Sequence, residues 1–301
     1  MTKILLVVVG PTAIGKTRVA IQLAKHFNCD IVSADSRQFY KEMRIGTAVP
    51  SKEELEAATH HFIQHRSIHE PTYSVGDYEK EAIQLLTSIY QSNDKAILVG
   101  GSGLYIKAVT KGLDYFPVVN PEVKKELSET VKKKGVIYLQ ELLKVEDPIY
   151  SKKVDLNNVQ RVQRALEVTL SSGKPYSSFI TGNKKQRNFR PVYIGLTADR
   201  PVIYNRINCR VYQMIEEGLF EEAAKLLPFR KLNALNTVGY KESFKFIKKE
   251  WDRSLATSEI QKNTRRFAKR QGTWFRKNKE IKWFDYDAPV DDIITYIETW
   301  L

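Results

Sequence analysis

The most specific chemistry in the chain lies in residues 10–17. Gly10, Pro11, Thr12, Ala13, Ile14, Gly15, Lys16 and Thr17 fit the spacing G-x-x-x-x-G-K-[ST]. Gly10 and Gly15 allow backbone angles that turn several N–H groups toward one anion, Lys16 adds a full positive charge, and the Thr17 hydroxyl can ligate Mg²⁺. A helix starting at the loop would aim its positive dipole end at the same anion. A tight strand-to-helix turn, the plain alternative, has no need of the lysine, so the loop reads as a phosphate site. An ATPase or kinase usually carries a second acid at the end of a buried strand to hold Mg²⁺. The stretch KAILVGGSG offers none and ends in Gly100, Gly101 and Ser102. The acid that does follow a strand is Asp35, for which a turn or helix-cap role is the alternative. Gly100 and Gly101 could be only a turn, or could let a substrate approach closely beside the Ser102 hydroxyl.

These residues need strands to hold them. KILLVVVG is continuously apolar and rich in β-branched residues, as a strand buried on both faces of a parallel sheet would be. DIVSADS, KAILVGG and PVYIGLTADR read as further strands. KTRVAIQLAKHF and VGDYEKEAIQLLTSIYQ place apolar residues at helical spacing. Strands alternating with helices predict an α/β fold with a parallel sheet, in which ligands bind at the carboxyl ends of strands. Residues 10–17, Asp35 and Ser102 should then meet in one crevice. Between about 120 and 181 no strand pattern occurs; NPEVKKELSETVKKKG, VIYLQELLKV and NNVQRVQRALEVTLSSG all read as helices, a helical insertion between two strands. Beyond 201 the chain is again mostly helical, with a long helix expected from about 254 to 278.

Of 301 residues, 48 are Lys or Arg and 35 are Asp or Glu, a formal net charge of +13, which favours a polyanionic partner. Residues 259–282 hold nine Lys/Arg and two Glu, with Phe267, Trp274 and Phe275 interleaved and Trp283 directly after. On a helix Arg266, Lys269 and Arg270 share one side, a surface for RNA phosphates or a solvated face; the aromatics are expected in the core. The two cysteines, Cys29 and Cys209, offer neither a disulfide framework nor a CxxC metal site. Four of the five histidines lie at 60, 61, 65 and 69; His65 and His69 have helical ligand spacing, but no third ligand accompanies them. No apolar run reaches the length of about 18 residues needed to span a bilayer, and a cytoplasmic location is expected.

Several segments together resemble one family. GPTAIGKT, SADSRQFYKEMRIGTAVP, YSVGDY, LVGGSGLYIKAV, VQRVQRALEV, RINCRVYQMI, NTVGYKE and RRFAKRQGTWFRK, in this order through nearly the whole chain, resemble the bacterial tRNA dimethylallyltransferases. The resemblance implies a P-loop NTPase-like α/β core of residues 1–118 and 190–301, and a helical insertion of 119–189 that helps to clasp the tRNA. It implies that the loop binds the diphosphate of dimethylallyl diphosphate rather than ATP. With Mg²⁺ present, the five-carbon group would pass to the exocyclic amine of the adenosine 3′ to the anticodon, position 37. Residues 10–17 would hold the diphosphate, with Lys16 and an arginine of the pair Arg206 and Arg210 against its charge and Thr17 on the metal. Asp35 would be the base, beside Ser102. The anticodon stem-loop would meet Asp35, Ser36, Arg37, Gln38, Ser102, Lys124, Gln160, Arg161, Val162, Gln163, Arg164, Asn236, Thr237, Val238, Gly239, Tyr240 and Lys241, with Arg266, Lys269 and Arg270 on the basic helix. Ile14 stands where the family commonly has Ser, Ser102 where Thr is usual, and Lys124 where Arg is common. A monomer is expected.

Three other functions compete. An adenylate prenyltransferase would not need the QRVQR segment and the basic helix. A small-molecule kinase would need the acid that KAILVGG lacks. A non-catalytic RNA-binding ATPase would consume ATP.

Overall fold

Ile4–Val9 form β1, and all six residues are buried. Their side chains alternate: Leu5, Val7 and Val9 pack with Val32, Tyr78, Leu86 and Leu98 on one face, while Ile4, Leu6 and Val8 pack with Val19, Leu23, Ile97 and Ile194 on the other. A strand with apolar neighbours on both faces belongs at the centre of a parallel sheet. The structure, a computed structural model, describes residues 2–182 and 185–301. Met1, and Asn183 and Lys184 of the polar stretch TGNKKQRN, lie outside the described residues.

After β1 come α1 (Lys16–Phe27), β2 (Ile31–Ser33), α2 (Lys52–Glu56), β3 (His60–His61), α3 (Val75–Ser92), β4 (Lys95–Gly100) and α4 (Gly103–Lys111). Helices α5 (Pro121–Glu146), α6 (Pro148–Ser151) and α7 (Val159–Ser172) follow. Then come β5 (Arg190–Thr197), α8 (Arg200–Glu216), α9 (Leu219–Leu226), α10 (Tyr240–Ile247), α11 (Arg253–Phe275), β6 (Lys282–Asp285) and α12 (Val290–Glu298). The sheet has six strands in the order β3-β2-β4-β1-β5-β6, and every pair is parallel. Consequently β2, β4 and β1 lie side by side and present their carboxyl ends along one edge. The phosphate loop leaves β1, the Asp35 loop leaves β2 and the Ser102 loop leaves β4.

Two compact units form: Met1–Lys111 with Gln186–Leu301, and Gly112–Lys185. The second is helical around a core of Leu127, Leu139, Leu143, Val162, Ala165 and Leu166. Gly135, at φ 77°, breaks α5 into two helices, at the junction between KKKG and VIYL. Both boundaries differ from the expected ones: residues 112–118, expected in the core, belong to the helical unit, and 186–189, expected in the insertion, pack with the sheet unit, where Arg187 donates to Glu79 and to the Ala108 carbonyl and Phe189 joins the core under α3. Two strands went unread. β3 has only two residues, too few for a period, and β6 (KWFD) is an edge strand whose residues are half-buried or exposed. Among the described residues no helix is long and apolar enough to cross a membrane.

Candidate active site

The phosphate loop is drawn close against the sheet. Gly10 has φ 151°, and a Cβ there would sit 2.6 Å from the Leu196 carbonyl oxygen on β5, so only glycine lets the chain leave β1 on this path. Lys16 donates to the Pro11 carbonyl at 2.8 Å, and Arg206 on α8 donates from Nε to the Ala13 carbonyl at 2.7 Å. The carbonyls of the loop are thereby turned toward cations of the protein. The amide N–H groups of Ala13, Ile14 and Gly15 have no acceptor among the described residues, an arrangement suited to an anion. Ile14 itself points into the core and is 1% exposed, so it offers a ligand only its backbone.

A cavity of about 530 Å³ opens over the loop. Thr12, Ala13, Gly15, Lys16 and Thr17 line it from one side, and Asp35, Gln38, Arg206 and Arg210 line it from others. Burial pushes the Lys16 ammonium down to about 8; Asp35 opposes this and Arg210 reinforces it. Burial also lowers the Arg210 guanidinium from its ordinary range, with Asp35 again opposing. These two partly desolvated cations share the space with Arg18 and Arg206 and face the carboxylates of Asp35 and Glu54, so the lining keeps a surplus of positive charge that suits a polyanion.

Asp35 is held by its own loop. Its carboxylate accepts from the Arg37 N–H at 3.0 Å, and its own N–H donates to Ser33 Oγ at 3.3 Å. Ser102 joins this loop: its Oγ accepts from the Ser36 N–H at 3.1 Å and lies 3.2 Å from Ser36 Oγ. The Arg37 guanidinium donates to the carbonyls of Asn233 and Ala234, and the Gln38 amide to those of Thr47 and Ala48. Both side chains therefore anchor neighbouring segments and leave Asp35 facing the cavity. Thr17 supplies a hard hydroxyl oxygen to the space beside Lys16. Among the described residues there is no cluster of three or more His, Cys, Asp or Glu. This donor set suits Mg²⁺, which keeps water and substrate oxygens as most of its ligands.

The remaining expected residues divide by burial. In 236–241, Asn236 and Lys241 are exposed, Thr237 and Val238 are half-buried, and Gly239 and Tyr240 are buried. The Tyr240 hydroxyl donates to Glu222, so this residue fixes structure and presents nothing to RNA. Glu222 also accepts from the N–H groups of Arg44, Ile45 and Gly46, which shapes the turn whose Thr47 and Ala48 line the cavity. In the helical unit Lys124, Gln160, Arg161 and Arg164 are exposed and Gln163 is half-buried. Val162 is fully buried in that unit's core and serves packing rather than contact. On α11, Arg266, Lys269 and Arg270 are exposed as expected for one face. The aromatics depart from expectation: Phe267 and Trp274 are 39% and 41% exposed, and only Phe275 is buried. Neither His65 nor His69 lies on a helix; His65 sits among the rings of Phe39, Phe62 and Tyr73, and His69 packs on Phe229.

Gln271 was not singled out by the sequence. It is buried on α11 between Ala268 and Phe275 and bonds to the phosphate loop through the Thr12 N–H at 2.9 Å. A glutamine interrupting an apolar i, i+3, i+7 face was the available signal.

Residues 38–278 match the family model described as IPP transferase. The tRNA dimethylallyltransferase of Christiangramia forsetii is 56% identical over 299 residues, 99% of each chain. That of Flavobacterium johnsoniae is 54% identical over 301 residues, covering 98% of this chain and 97% of the relative. Among solved structures, the full-length tRNA isopentenylpyrophosphate transferase of Bacillus halodurans superposes with a TM-score of 0.72 at 37% identity, covering 100% of this chain and 95% of the other.

Proposed function

The chain belongs to the IPP transferase family of tRNA dimethylallyltransferases, enzymes that transfer a dimethylallyl group to a tRNA adenosine, and we propose that dimethylallyl diphosphate is its donor and the exocyclic amine of the adenosine 3′ to the anticodon its acceptor. The observation that carries this reading is the shared cavity of Lys16, Asp35, Arg206 and Arg210 over a loop with free amide donors.

In the mechanism we infer, the loop amides, Lys16 and Arg210 stabilise the charge that develops on diphosphate as the allylic carbon–oxygen bond breaks. The adenine amine is a weak nucleophile because its lone pair is delocalised into the ring. Asp35, held by the Arg37 N–H, takes the amine proton as the new carbon–nitrogen bond forms. Ser102, bonded to Ser36, fixes the Asp35 loop and offers its hydroxyl to the base. Mg²⁺, when bound, would neutralise part of the diphosphate charge, with Thr17 as its protein ligand. The target base must leave the anticodon stack, at a cost of about a few kcal/mol. Exposed Arg161, Arg164, Lys241, Arg266, Lys269 and Arg270 are the residues we assign to the anticodon stem-loop's phosphates. The enzyme would act as a monomer in the cytoplasm.

The test is to incubate the protein with labelled dimethylallyl diphosphate, Mg²⁺ and bulk tRNA, digest the product and locate the labelled nucleoside. Label at the adenosine 3′ to the anticodon supports the reading; label elsewhere in the tRNA, or on free adenylate supplied in competition, contradicts it.

A further inference from the structure

Three loops at neighbouring strand ends must keep a fixed spacing if leaving group and acceptor are to line up: the phosphate loop after β1, the Gly101–Ser102 turn after β4 and the Asp35 loop after β2. β4 and β2 are stitched at this level, because the Ser102 N–H donates to the Ala34 carbonyl at 3.3 Å and Ser102 Oγ accepts from the Ser36 N–H. Between β1 and β4 the tips are joined through a side chain from α11. Gln271 Oε1 accepts from the Thr12 N–H at 2.9 Å, and its Nε2 donates to the Gly101 carbonyl at 3.1 Å. The amide orientation is fixed by its partners, since the flipped amide would set donor against donor and acceptor against acceptor. Gln271 is 6% exposed. The room it occupies exists because residue 101 is glycine: a Cβ there would lie 2.2 Å from Gln271 Nε2.

We propose that Gln271 is a positioning residue for the transfer reaction, setting the distance between the diphosphate loop and the loops that carry Ser102 and Asp35. This rests on the prenyl-transfer reading above. One amide completes a hydrogen-bonded chain running Thr12, Gln271, Gly101, Ser102, Ser36 across the ends of β1, β4 and β2. The same helix presents Arg266, Lys269 and Arg270 outward, so the element assigned to tRNA phosphates also holds the donor loop. A small misplacement of reacting groups costs up to about a hundredfold in rate; Gln271 lines the same cavity and acts on that placement through the backbone of the two loops it joins.

The experiment compares wild type, Gln271→Met and Gln271→Glu by single-turnover transfer from dimethylallyl diphosphate to tRNA, with KM for each substrate and a pH series. Gln271→Met keeps length and loses both hydrogen bonds; its transfer rate should fall by about tenfold to a hundredfold while the tRNA KM stays within about twofold. Gln271→Glu keeps the acceptor for Thr12 but sets a carboxylate against the Gly101 carbonyl. Its rate relative to wild type should rise as pH falls and the carboxyl becomes a donor, a profile that a loss of folding alone would not produce. If Gln271→Met fails to fold, the pH ratio of Gln271→Glu decides. Variants with wild-type rates, or a rate ratio flat with pH for Gln271→Glu, overturn the proposal. Absence of transfer by wild type would instead overturn the functional reading beneath it.

Discussion

Arg206 holds Ala13 in place: its Nε donates to the Ala13 carbonyl at 2.7 Å, and Ala13 sits at φ 64°, a left-handed conformation that alanine rarely adopts. The guanidinium also lies over the Tyr286 ring, 5.1 Å from its centroid. Arg210, one turn further along α8, makes no such anchoring bond among the described residues and lines the cavity near Asp35. The two arginines that the sequence left interchangeable therefore have different work.

Arg206→Ala is expected to loosen the loop and raise the KM for the prenyl diphosphate by about tenfold, with a smaller loss of kcat. Arg210→Ala is expected to lower kcat by about a hundredfold or more, as removal of a transition-state donor does. Steady-state kinetics of both variants check this, and the reverse ordering would exchange the two roles.

Lys16 gives a pH signature. Burial lowers its ammonium to about 8, and a bound diphosphate raises that value. Donor affinity should therefore be level below pH 8 and weaken as pH rises beyond it, with proton uptake on binding near pH 8. In folding, the ammonium is depressed from its unfolded value of 10.5, so it costs stability fully below pH 8 and the cost disappears between there and 10.5. Lys16→Met should raise ligand-free stability at pH 7 by roughly 1–2 kcal/mol, with the gain shrinking above pH 8, while abolishing most transfer. Thermal unfolding and diphosphate titration across pH read both effects.

Asp35→Asn should lower kcat by about 10²–10⁴-fold and change neither KM much, because the amide oxygen can still accept the Arg37 N–H. An effect confined to the tRNA KM would make Asp35 a positioning group.

Arg266→Ala, Lys269→Ala and Arg270→Ala should each weaken tRNA binding and reduce the slope of log affinity against log salt by about one, leaving donor binding unchanged. Arg161→Ala and Arg164→Ala should lower turnover as well as affinity. Binding across a salt series measures this; unaltered slopes for all three α11 variants would make that face a solvated one.

Much of this arrangement is legible in the residues. β1, β4 and β5 announce themselves because a strand buried on both faces must be continuously apolar, and the loop spacing at 10–17 follows from what a phosphate demands of glycine and lysine. Asp35 and Ser102 follow once the sheet is parallel. Gln271 and Glu222 were not legible, since their value lies in backbone groups far away in sequence: Thr12 is 259 positions from Gln271. The buried positions of Val162 and Tyr240 and the exposure of Phe267 and Trp274 depend on which side of a helix finds a neighbour. A segment read for its charge or its rings does not reveal that.

The measurement that bears most directly on the central claim offers the protein two diphosphate-bearing substrates in parallel. Dimethylallyl diphosphate with tRNA and Mg²⁺ should release inorganic diphosphate in step with label appearing in tRNA, and Lys16→Ala should abolish both. ATP in the same mixture should be left intact. Steady, Lys16-dependent phosphate release from ATP, with no label reaching tRNA, would contradict the account.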